Sequence, residues 1–136
     1  MNDTSVRLGF HLAAAFNIVG ILVFTRLFTS EVFFAIDPDL FSRQGCMLVM
    51  VWGLAYAAQA ASWRAAPGVS AVFAVEKLFF AGSWLVWMSG NALRLPELFA
   101  ADPLAGVFFA IYGVGDGLFA LFFAVAALKA WGGPRT

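Results

Sequence analysis

Three ionisable side chains stand where the sequence is otherwise apolar. Glu76 and Lys77 lie side by side within VSAVFAVEKLFFAGSWLVWMSG, and Asp116 lies within Gly113-Val114-Gly115-Asp116-Gly117. A charge near the centre of a bilayer costs at least about 2.5–3.5 kcal/mol on insertion scales, so three in one short chain need a reason. Glu76 and Asp116 are candidate catalytic residues, because two carboxyls that face each other can act as acid and base. Lys77 joins them as a group that stabilises an anion or neutralises one acid. Two readings stay open. In one, an ion pair with hydrogen bonds fixes helix register, or Lys77 snorkels to the headgroups while Glu76 pairs with a partner subunit. In the other, the group binds a ligand, carries protons or performs chemistry.

Other polar and aromatic residues fall level with these three. At 1.5 Å per residue, Glu76 and Lys77 lie about 10–12 Å from the inner edge of the membrane, Asn17 about 13 Å, Tyr56 about 10 Å and Gln59 about 6 Å, with Asp116 about 18 Å from the outer edge. Polar groups from four apolar stretches therefore share one layer. Polar side chains on one face of a membrane helix turn towards the bundle interior. The candidate ligand-binding set is Asn17, Trp52, Tyr56, Gln59, Glu76, Lys77, Trp84, Trp87 and Asp116. Trp52, Trp84 and Trp87 would hold an apolar body and the polar layer a polar end.

The elements that must position these residues are four apolar spans at about 8–28, 45–63, 69–90 and 104–131. Each is near the roughly 20 residues a spanning helix needs. Of the 136 residues, 62% are hydrophobic and 12% charged, against about 25% charged in a soluble domain. The expected fold is all-α: a polytopic membrane protein, one four-transmembrane-helix bundle over residues 1–136. The first span reads as a retained helix, since no small-residue cleavage site follows it. An even helix count puts both termini on one side with Arg7, Arg64, Lys129 and Arg135, opposite Arg26, Arg43 and Arg94. That slight bias places both termini in the cytoplasm. The loop Thr29–Gln44, with Phe33, Phe34 and Phe41, is expected to lie on the outer leaflet. Two loops anchored by aromatics at the headgroups is the preferred picture over a cap made jointly with Asn91–Pro103. A small-residue stripe, Gly106, Ala110, Gly113, Gly117, Ala120 and Ala124, suits close helix packing, and a homodimer through it is expected.

Several chemistries are set aside. Net charge is +0, so no basic surface for nucleic acid exists. A single histidine, His11, excludes two-histidine haem ligation from this chain alone. His11 and Cys46 belong at opposite ends, so no metal site is expected, although Cys46 and Met50 one turn apart could touch Cu(I). Phosphate loops, paired CxxC cysteines and a nucleophile elbow are absent from the sequence.

Small size, four spans and almost nothing outside the membrane resemble the DoxX-like group of small bacterial inner-membrane proteins. That resemblance, which covers layout and no residue motif, implies a bacterial inner-membrane location and makes a quinone a possible cofactor. The expected function is binding of a hydrophobic small molecule or membrane lipid, or service as a subunit of a membrane complex, with a homo-oligomer or partner membrane subunit. The alternatives are a membrane enzyme or quinone-linked redox accessory using Glu76 and Asp116, and an oligomeric proton-coupled transporter or channel. The small multidrug transporters also have four spans but place an essential glutamate in the first, where this chain has no acid.

Overall fold

The computed structural model describes residues 1–133, and all regular structure among them is helical. Each long helix begins where a side chain or a proline resolves the free N–H groups of its first turn. Helix α1 (Asp3–Phe24) opens on Asn2, which accepts the Ser5 N–H at 2.8 Å. Helices α2 (Glu31–Ile36) and α3 (Arg43–Gln59) open on Ser30 and Ser42, whose hydroxyls accept from Phe33 and Gly45. Helix α4 (Pro67–Asn91) starts on a proline, which has no N–H to leave unpaired. A single 3-10 turn, Ala92–Arg94, leads into α5 (Leu95–Ala101). Helix α6 (Pro103–Gly132) combines a first-turn proline with Asp102, which accepts from Leu104 and Ala105.

Three stretches are long and apolar enough to cross a membrane: Asp3–Phe24, Pro67–Ala101 (α4, the 3-10 turn and α5) and Pro103–Gly132. The second predicted span is shorter than expected. Helix α3 has 17 residues, about 25 Å of rise. The chain then turns through residues 60–65, closed by Gln59 Nε2 donating to the Ala66 carbonyl at 3.2 Å. The first span also ends early. Thr25 donates its hydroxyl to the Ile21 carbonyl at 2.6 Å and accepts the Phe28 N–H at 3.0 Å. Arg26, Leu27 and Phe28 then take left-handed φ values of 53°, 57° and 64°, a conformation that costs non-glycine residues roughly 1–2 kcal/mol each.

The long helices associate as two pairs. Helix α4 packs most extensively on α6 and α1 on α3, while α1 meets α6 along a narrower strip. Glycine sets both approaches. A Cβ on Gly53 would meet Ile18 at 2.8 Å and the Ala14 carbonyl at 3.1 Å, so α3 lies directly on α1. A Cβ on Gly113 would fall on the Trp84 ring, and one on Gly106 would meet Phe99 at 2.8 Å. Half of the predicted small-residue stripe is occupied within the chain. Gly106, Gly113 and Ala120 are buried, whereas Ala110, Gly117 and Ala124 are partly exposed and a Cβ on Gly117 would meet open space.

The apolar core falls into two clusters. One, at the end holding the chain terminus, is built on Phe10, Tyr56, Trp63, Phe73 and Phe123. The other is built on Phe33, Phe41, Phe108, Phe109 and Tyr112. The second corrects the picture of a loop lying on the leaflet. Phe33, Phe34, Ile36 and Phe41 turn inward, and α2 with α5 closes that end of the bundle as a cap. Its latch joins residues far apart in sequence: Asp102 accepts from Arg26 at 3.0 Å and from the Ser30 hydroxyl at 2.6 Å. The ends also separate the cations. Arg64 pairs with Asp3, and Lys129 donates to the Met1 carbonyl, while Arg26 and Arg43 belong to the capped end. Arg135 lies outside the described residues.

Candidate functional site

Between the two apolar clusters lies a polar layer. Helix α1 contributes Asn17, held where Gly53 lets α3 approach, so that its Nδ2 donates to the Val49 carbonyl at 2.9 Å. That bond turns Oδ1 towards α4, where Lys77 Nζ donates to it at 2.7 Å. Lys77 Nζ also donates to Asp116 Oδ1 on α6 at 2.7 Å. The ammonium sits 5.1 Å from the Phe16 ring centre and 5.3 Å from that of Tyr56, within range of cation–π attraction. One lysine thus ties α1, α4 and α6 together. Its side chain is 2% exposed and that of Asp116 7%, so the alternative in which Lys77 snorkels to the headgroups does not hold. Asn17 and Asp116 take two of its three donors inside the bundle.

Glu76, one residue earlier on α4, makes a different use of its position. Tyr56 on α3 donates its hydroxyl to Glu76 Oε2. Oε1 is buried and has no partner. The Tyr112 hydroxyl on α6 is likewise buried and unpartnered. Such atoms normally find a partner in a folded protein.

Both residues line a cavity of about 640 Å³ between α1, α4 and α6. Its polar groups come from Asn17, Glu76, Lys77, Tyr112 and Asp116, and its walls from Ile21, Phe24, Phe41, Phe80 and Phe108. The outward-facing residues of its rim are Ala15, Phe16 and Val19 on α1 with Ile111, Val114 and Leu118 on α6, all apolar. The cavity therefore opens sideways, through the narrow contact between the two helix pairs. Gly20 lies in its wall with nothing within 4 Å of where a Cβ would stand.

Of the residues singled out from sequence, Asn17, Glu76, Lys77 and Asp116 line this cavity, and Tyr56 stands behind Glu76. The others lie outside the lining of this cavity. Gln59 closes the α3–α4 turn. Trp52 packs edge-on against Phe73. Trp84 fills the slot at Gly113 and donates its Nε1 to the Phe109 carbonyl at 2.9 Å. Trp87 packs on Phe109 and lines a shallower depression with Asp37 and Leu40. Phenylalanines line the cavity where tryptophans were expected. Tyr112 was missed, although it stands four residues before Asp116 and so shares its helix face. Among the described residues, no cluster of three metal-ligating side chains occurs.

No family model, no curated protein and no solved structure matches the chain.

Proposed function

We propose that the chain is a four-span protein of the bacterial inner membrane, with both termini cytoplasmic, that takes an amphiphilic small molecule or lipid from the bilayer into its lateral cavity. Helix α3 serves as the fourth span in this reading. It lies against α1 in the opposite sense, Gly53 meeting Ala14 and Asn17 while Arg64 beyond it reaches Asp3. Its outward residues Met47, Leu48, Val51 and Leu54 are all apolar. The apolar body of the ligand rests on Phe24, Phe41, Phe80 and Phe108, and its polar end meets Glu76 and Tyr112. A single observation carries the reading: an almost wholly apolar cavity with an apolar rim is lined by Glu76 and Tyr112, each of which has a buried oxygen without a hydrogen-bond partner. A bundle that needed Lys77 and Asp116 only for register would have no use for that space.

The test is thermal unfolding of delipidated protein with and without a total extract of bacterial membrane lipid. Ligands that bind only the folded state raise stability by mass action. The extract should raise the midpoint of the native chain more than that of Gly20→Phe, which puts a ring into the cavity wall. Equal shifts in the two proteins would reject the site.

A further inference from the structure

We propose that the ligand of this cavity is a lipophilic cation, an amine carried on an apolar body; the proposal rests on the lateral cavity being a binding site. The polar layer holds two carboxyl groups and a single ammonium. Asp116 and Lys77 satisfy each other at 2.7 Å. Glu76 adds a second carboxyl group, and among the described residues the one side chain that hydrogen-bonds to it is Tyr56, through its neutral hydroxyl. Lys77 makes no hydrogen bond to it, since its ammonium donates to Asn17 and Asp116 and lies beside the Phe16 ring. No other basic residue lines the cavity. The acid left without an ion-pair partner is Glu76, which lines the cavity and whose Oε1 has no hydrogen-bond partner.

An ammonium group supplies what this end of the cavity lacks. It brings a positive charge to a buried carboxylate, whose isolation in an apolar medium is costly. It also brings several N–H donors, one for Glu76 Oε1 and one for the oxygen of Tyr112. The rings of Phe24, Phe41, Phe80 and Phe108 suit the apolar body that carries the amine. A neutral alcohol could donate once to Glu76 but would leave the charge uncompensated. A carboxylate would be repelled.

The experiment compares dodecylamine, dodecanol and dodecanoate on the full chain in nanodiscs, each corrected for partition into protein-free discs. The amine should bind at least about tenfold more tightly than either analogue, the order of one charge-assisted hydrogen bond. Glu76→Gln should bring the amine level with the alcohol, and Tyr112→Phe should weaken both. Amine and alcohol binding equally to the native chain, both lost in Gly20→Phe, would overturn the cation assignment and leave the site standing. No saturable binding of any probe would remove the site and the assignment together. The native-chain comparison decides the matter even where Glu76→Gln fails to fold.

Discussion

Two of the bundle's ion pairs resemble each other in distance but not in setting. Lys77–Asp116 spans 2.7 Å in the middle of the helices, and Arg26–Asp102 spans 3.0 Å in the cap. Both members of the first are buried, whereas the Arg26 side chain is 48% exposed. Removing one partner of a buried pair strands a charge that has nowhere to go, but Arg26 can return to water. The cap carboxylate has further duties, since Asp102 also caps α6 and anchors Ser30. The cap is thus a latch built from several modest bonds. The polar layer is a knot in which one cation is indispensable.

That contrast sets an order of effects. Lys77→Met should be the most damaging change, costing about 3–5 kcal/mol because Asp116 is left buried and alone. Adding Asp116→Asn should restore part of the loss, with a coupling energy of roughly 0.5–3 kcal/mol in a thermal double-mutant cycle. Additive effects would mean that the knot is no knot. Gly113→Ala should come next, losing about 1–3 kcal/mol, because the added methyl meets a Trp84 ring that is tethered to Phe109. Gly117→Ala on the same helix meets open space and should gain up to about 1 kcal/mol. The two are told apart by melting temperature in one detergent.

In the cap, Asp102→Ala should cost about 1–2 kcal/mol, most of it the lost helix cap. Acid should weaken the same latch. Burial pushes the Asp102 carboxyl up, but hydrogen bonds from Arg26, Ser30 and the Ala105 N–H outweigh it and hold the group below its usual 3.8. Its contribution is therefore full above pH 3.8 and fades as pH falls through the lower folded value. Asp102→Asn should flatten stability against pH in that acid window, and an unchanged slope would remove Asp102 as its source. The smallest effect belongs to Arg64→Ala, whose pair with Asp3 is exposed on both sides. A salt titration should erase the difference from the native chain.

The same contrast explains what could be read before the fold was known. Asn17, Tyr56, Glu76, Lys77 and Asp116 announced themselves because polar groups in apolar stretches are expensive, and the cost acts at every residue separately. The helical class followed from composition in the same way. The cap was harder to foresee because its latch joins Arg26 and Ser30 to Asp102, and nothing local to Phe33 or Phe41 says that they turn inward. The early end of α1 was hidden too, since its three left-handed residues include no glycine to mark the turn. The place taken by Trp84 was hidden for a steric reason. Trp84 shares a face with Lys77, yet the missing side chain of Gly113 on another helix decides where its ring goes.

The claim that the lateral cavity holds a molecule from the bilayer is met most directly by native mass spectrometry of the chain released from nanodiscs formed in bacterial lipid. The native chain should carry a discrete bound mass at one per chain that survives activation sufficient to strip annular lipid, and Gly20→Phe should emerge bare. A native chain that emerges as bare as Gly20→Phe, or an adduct that Gly20→Phe retains, would contradict the account.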